Sequence, residues 1–155
     1  MKNQKLKFIK FIAIIGIFLL SFPSHFIYKF FPNILISFFF PVNESIFEHL
    51  KILFTSTLLY GIIDYYLLKK NSISFHNFSF QLFLTSTLSI IIFLLIYLPV
   101  YYTVGEILPL TLIIMLFTYF LNQLISYYIL LLPKIPYLNF LSIFFIILIY
   151  INFII

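Results

Sequence analysis

Eleven residues, Pro41 to Lys51 (PVNESIFEHLK), are the densest cluster in this chain of side chains that could bind a proton or a metal ion. The sequence has four acidic residues and three histidines, and Glu44, Glu48 and His49 fall within six consecutive positions. Asn43, Ser45 and Lys51 stand among them, in surroundings otherwise made of Phe, Ile, Leu and Tyr. On a helix, Glu44 and Glu48 at i and i+4 share a side and could offer two carboxylate oxygens, with His49 one position round. His25 could join them if the chain between folds back. Oxygen and nitrogen donors in that number suit zinc, manganese or iron, so the metal candidates are Glu44, Glu48, His49 and His25.

The same stretch also reads as a helix start. Ser45-Ile-Phe-Glu48 has the form of a capping box, in which Ser45 accepts from the Glu48 backbone N–H and Glu48 reaches back to the Ser45 N–H. Asn43 is a competing cap, and negative charge at this end suits the helix dipole. Lys51, three residues after Glu48, can lean back to it. Capping accounts for Ser45, Glu48 and Lys51 but not for Glu44 or His49. The expectation is a polar binding or structural hub of His25, Tyr28, Asn43, Glu44, Ser45, Glu48, His49 and Lys51. No residue is assigned a catalytic role, and no cofactor is specified.

The elements that must position this hub follow from composition. Of 155 residues, 64% are hydrophobic and only 8% charged, too few charges to coat a soluble domain. Apolar runs near the ~20 residues that cross a bilayer, bounded by Pro, Asn and Lys, predict an all-α, polytopic transmembrane helical bundle; a barrel would show shorter alternating segments. Five spans are expected, at about 7–25, 45–68, 78–98, 107–132 and 137–155, in one integral membrane domain. A re-entrant or interfacial segment is expected at about 26–40, broken by Lys29, Pro32 and Asn33. Seven of the nine lysines (2, 5, 7, 10, 69, 70 and 134) then share one side, which by the positive-inside rule gives an N-in, C-out topology. The lysine-rich start followed by an apolar run resembles a signal peptide, but without a small-residue cleavage site it reads as a retained anchor. The last span runs off the end still apolar, which suggests truncation or a partner covering that end.

Within the spans the polar residues fall at helical spacing. His49, Ser56, Tyr60 and Asp64 share one face of the second span; Gln81, Thr85 and Ser89 share one of the third; Thr111, Thr118, Asn122 and Ser126 share one of the fourth. A bundle with a polar inner seam is expected, with Ser56, Tyr60, Asp64, Gln81 and Asn122 as its intramembrane polar residues. An intramembrane carboxylate is costly and makes Asp64 a functional candidate, although hydration near Lys69 would also accommodate it. The first span has no strongly polar side chain before Ser21 and reads as a peripheral, lipid-facing helix.

His25-Phe26 with Tyr28, followed by Pro-Val-Asn-Glu-Ser-x-aromatic-Glu-His-Leu-Lys from Pro41 to Lys51, resembles the signature of a family of bacterial multi-pass membrane proteins, the domain-of-unknown-function family 6512. Phe47 stands where that signature has Trp, and the likeness covers roughly residues 20 to 70. It implies a fold neighbourhood and key positions, not an activity. A fainter likeness, through Asn43-Glu44-Ser45 and the following His49, is to the superfamily of alkaline ceramidases and progestin-type receptors. Here the Glu-to-His spacing is shorter, and no late His-x-x-x-His is present.

The expected function is a non-enzymatic, transport-related or membrane-complex subunit, in the cell membrane and by composition bacterial. The alternative is a metal-dependent membrane hydrolase acting on lipid or peptide through the Glu/His cluster. The expected partner is the lipid bilayer, with no nucleic acid; a homo- or hetero-oligomer through the last two spans is also envisaged.

Overall fold

The computed structural model describes residues 2–153. Met1 and the last two positions of the expected fifth span, 154–155, lie outside them. The described residues are all-α, with six helices: α1 (Lys2–Phe30), α2 (Ile34–Phe39), α3 (Ile46–Lys70), α4 (Phe78–Val104), α5 (Leu108–Leu131) and α6 (Leu138–Asn152). Four of them, α1, α3, α4 and α5, are long and apolar enough to cross a bilayer, which on length and composition makes this a multi-pass helical membrane protein.

These four form a closed up-down-up-down ring: α1 packs on α3 and α5, and α4 packs on α3 and α5. One end of the ring carries the start of α1, Lys69, Lys70 and the loops at 71–77 and 132–137. The other carries the Pro41–Lys51 motif, the end of α1 and the 105–107 turn. The ring carries polar stripes within, beside an apolar core, and is apolar without. On α1, Leu6, Ile9, Lys10, Ala13, Ile17, Ser21 and Ser24 are buried, while Phe8, Phe11, Ile15, Leu19 and Phe22 are exposed. The polar stripes also turn inward: Ser56, Asp64, Gln81, Thr85, Ser89, Thr118, Asn122 and Ser126 are all buried. In a membrane this arrangement costs nothing outside, where lipid meets the apolar faces.

Several boundaries differ from the sequence expectation. Pro99 does not end α4, which continues to Val104, and α1 runs through Pro23 and beyond the expected position 25 to Phe30. Proline removes one hydrogen bond but leaves the rest of the ladder intact, and nearby hydroxyls bond carbonyls beside the break, Ser24 to Leu20 O at 2.8 Å and Thr103 to Pro99 O at 3.0 Å. The α4–α5 turn falls at Gly105, whose φ of 78° suits a residue without a Cβ. α1 is not peripheral. It supplies a full side of the ring, because Lys10, Ser21 and Ser24 give it a polar inner stripe that residues 11–20 do not reveal.

The fifth expected span is a shorter helix. α6 has 15 residues, about 22 Å at 1.5 Å per residue, against ~30 Å of hydrocarbon, and it packs on the outside of α4. Its end meets the segment expected to be re-entrant or interfacial. Residues 26–30 of that segment are the last turn of α1, and only Ile34–Phe39 forms a separate helix, capped by Asn33. Thr55 donates to Phe39 O at 2.7 Å, and the Tyr150 ring packs edge-on against Phe39 at 4.8 Å. The short α2 therefore covers the end of the short α6, and the two together line the flank that one longer helix would otherwise occupy. At the opposite end, buried Asn77 binds the 132–137 loop, donating to Pro133 O at 2.9 Å and accepting from Ile135 N–H at 3.1 Å. Nothing in the hydropathy pattern distinguishes Asn77 from its loop neighbours.

Candidate metal centre

The helix start behaves as capping chemistry requires, with one exchange. Ser45 Oγ accepts from Glu48 N–H at 3.3 Å, but Asn43 Oδ1, not Glu48, accepts from Ser45 N–H at 2.9 Å. The two short-range caps share the work because Asn43 is closer in sequence to Ser45. Glu48 is thereby free to reach further along the chain. Its Oε2 accepts from Val42 N–H at 2.9 Å and its Oε1 pairs with Lys51 at 2.8 Å. Lys51 is buried and also donates to Ser37 O at 3.0 Å, tying α3 to α2. Glu48 is thus fully employed in holding the turn.

That turn aims Glu44 and His49 at His25. The Glu44 carboxylate lies 3.4 Å from His49 Nε2 and 3.6 Å from His25 Nε2. The two imidazoles stand 5.1 Å apart, centre to centre, tilted by 30°. One ligand atom from each of the three residues falls within 4.8 Å of the others. Of the four metal candidates, three converge and Glu48 stands apart. His25 comes from α1 and His49 from α3, and the 31–45 connection folds back over them. Tyr28 is half-buried on α1 and does not line the pocket beside the cluster.

These separations are too long for hydrogen bonds, whose N···O distances fall near 2.7–3.2 Å. The two Glu44 separations are close to the edges of a coordination tetrahedron, where ligands at about 2.0–2.1 Å from zinc lie roughly 3.3–3.5 Å from one another. His49 is also oriented as a ligand should be. Its Nδ1 lies 2.8 Å from Ser45 O, which accepts its proton and leaves Nε2 with a lone pair toward Glu44. The N₂O donor set is that of a three-ligand catalytic zinc site, which keeps a fourth position open. Glu44 is largely exposed, so that position is accessible.

Beside the cluster a cavity of about 530 Å³ runs into the ring between α1, α3, α4 and α5. Its walls are mostly apolar, among them Phe22, Ile52, Leu53, Phe93, Leu112 and Met115. His25, Glu44 and His49 line one side, and Glu106 of the 105–107 turn also lines it. Sequence reasoning does not single out Glu106 or Tyr97, because this region reads as an interfacial aromatic belt. The available signal is that Glu106 is the third of four acidic residues to fall at the same end of the bundle. Ser21 lies at the inner end of the pocket, hydrogen-bonded to the buried Tyr119 hydroxyl at 2.7 Å.

The intramembrane residues are placed separately. Ser56 donates to Ser24 Oγ at 3.2 Å, joining α3 to α1. The Tyr60 ring lies flat against Gly16, where any Cβ would collide with it. Asp64 is not hydrated beside Lys69 but forms a buried ion pair with Lys10 across the α1–α3 interface. Lys10 therefore belongs to the interior and not to the flanking lysines that mark topology. Gln81 donates to Thr85 Oγ1 at 3.3 Å, and neither side-chain polar atom of Asn122 has a hydrogen-bond partner among the described residues.

No family model, no curated protein and no solved structure matches the chain. Fold and geometry define a class, a multi-pass helical membrane protein with a candidate N₂O metal centre.

Proposed function

We propose that the protein binds a divalent transition metal, zinc by preference, through His25, Glu44 and His49, and acts as a metal-dependent membrane hydrolase on a lipid or peptide. The observation that carries this is the convergence of three ligand atoms, from α1, the preceding turn and α3, within 4.8 Å of one another beside a mostly apolar pocket. A non-enzymatic hub would need the polarity but neither the spacing nor the pocket. In this reading a bound metal ion supplies Lewis acidity and lowers the pKa of a bound water. The chain's own groups do the rest. Ser45 O fixes the His49 tautomer, and the apolar walls hold the acyl or side chain.

The lysine distribution supports placing this centre at the outer boundary of a bacterial cytoplasmic membrane, with the N-terminus inside. Membership of the family that shares the Pro41–Lys51 signature belongs to the same proposal, as does an oligomer through α5 and α6, whose Ile113, Phe117, Phe140 and Phe144 are exposed. The test is hydrolysis of an acyl ester amphiphile by detergent-purified protein before and after chelation. Cleavage lost on chelation, restored by zinc and absent in His25→Ala is expected. Zinc binding without metal-dependent cleavage would reduce the reading to a structural metal site.

A further inference from the structure

Asp64 is unusual in having a buried oxygen, Oδ1, with no hydrogen-bond partner among the described residues even though Oδ2 is paired with Lys10. It is not alone. Gln81 Oε1, Gln123 Oε1, Ser126 Oγ and both polar atoms of Asn122 are likewise buried and unpartnered, as is Thr87 Oγ1, which lies off the Gln81–Thr85–Ser89 face of α4. Asp64, Gln81, Asn122, Gln123 and Ser126 are each at most 4% exposed. A buried polar group without a partner costs about 1–3 kcal/mol, so a group of them calls for a ligand that can satisfy them.

Register puts most of these groups in one stretch of the ring interior, between the pocket and the lysine-rich end. On the α1–α5 interface, Ser21 contacts Tyr119, and Lys7 stands over the Tyr127 ring. Asn122 and Ser126 lie between those two contacts on α5, and Lys10 lies between them on α1. On the α3–α4 interface Gly61 contacts Leu82, which sets Gln81 within about one helical turn, ~5 Å along the axis, of Asp64. The sequence of polar groups thus starts at Ser21 and Tyr119 at the inner end of the pocket, passes Asn122 and Ser126 with Gln81, and reaches Lys10–Asp64. Beyond that pair the lysine-rich end is closed by an apolar cluster of Leu6, Ile9, Leu68, Ile73 and Leu130.

The unpartnered set selects its occupant. It contains acceptors in Asp64, Gln81 and Gln123, a donor in Asn122 Nδ2 and a hydroxyl in Ser126. A bare metal cation would satisfy the oxygens only, and the Lys10 ammonium already occupies the carboxylate. Water satisfies both kinds, making about three hydrogen bonds per molecule. We infer that the ring encloses a hydrated half-path, open from the pocket and sealed at the lysine-rich end, which gives protons access to the Lys10–Asp64 pair. Ionisable residues so placed within membrane spans are the usual elements of proton relays. The path rests on the ring interior and not on metal binding, so it stands or falls independently of the hydrolase reading.

The chain has no cysteine, so single cysteines report accessibility without background. Asn122→Cys, Ser126→Cys and Leu68→Cys would be treated with a small, charged methanethiosulfonate reagent in proteoliposomes. The path predicts modification at 122 and 126 about tenfold faster than at 68, as expected for water-lined against dry positions. Adding Asn122→Leu to Ser126→Cys should slow modification at 126 by about the same factor while leaving the protein at least as stable, because an unpaired amide is replaced by an apolar group of similar shape. Equal rates at 122, 126 and 68, or a Ser126→Cys rate unaffected by Asn122→Leu, would overturn it.

Discussion

His25 and His49 are separated by 23 intervening residues in sequence, yet their rings lie within 5.1 Å of each other. If both are ligands, His25→Ala and His49→Ala should each lower zinc affinity by well over the 10–100-fold typical of losing a supporting partner, measured by competition with a chromophoric chelator. Glu48→Gln makes the opposite prediction. Glu48 holds Val42 N–H and the buried Lys51 ammonium, so the variant should keep its metal. It should lose stability, by up to about 3–5 kcal/mol if the Lys51 charge is left buried without its partner. Thermal unfolding in detergent alongside metal analysis separates the two roles. Because both imidazoles must be unprotonated to bind, zinc affinity should also fall as pH is lowered.

At the scale of elements, the α1–α3 interface is held by matched positions along its length: Lys10 with Asp64, Gly16 with Tyr60, Ser24 with Ser56, His25 with His49. Gly16→Ala would force a methyl group into the Tyr60 ring, an overpacking cost of about 1–3 kcal/mol. It should lower the unfolding midpoint while leaving the metal ligands themselves in place; an unchanged midpoint would show that the interface gives way easily. Much of this interface is legible in sequence only from the α3 side. The 7, 4, 4 spacing of His49, Ser56, Tyr60 and Asp64 announces an inward face. On α1 only His25 stands out by type; the other matching residues are a lysine that reads as a topology marker, a glycine and a serine. The motif turn is legible as a cap. The Glu48–Lys51 pair is legible as well, whereas the transfer of Glu48 from Ser45 N–H to Val42 N–H is not, because it depends on where the preceding turn returns.

For the whole molecule, hydropathy carries the all-α membrane class and the approximate spans, whereas Pro99 misplaces one end and the apolar length of α6 overstates a helix too short to cross. What decides such cases is packing, since α2 covers what α6 does not reach. The interior ion pair gives a prediction at this scale. Lys10→Met or Asp64→Leu alone leaves an uncompensated buried charge and should cost about 3–5 kcal/mol, whereas the double variant should recover most of that loss. Additive losses in the double variant would mean that the two residues are not coupled.

The central claim is that three side chains from separate elements bind one metal ion. X-ray absorption at the zinc edge of the reconstituted protein tests it most directly. The structure predicts a four-coordinate site with two imidazole nitrogens, one carboxylate oxygen and one exchangeable oxygen at about 2.0–2.1 Å, reduced to a single imidazole in His25→Ala. A spectrum with only light, water-like scatterers, unchanged by His25→Ala, would contradict it.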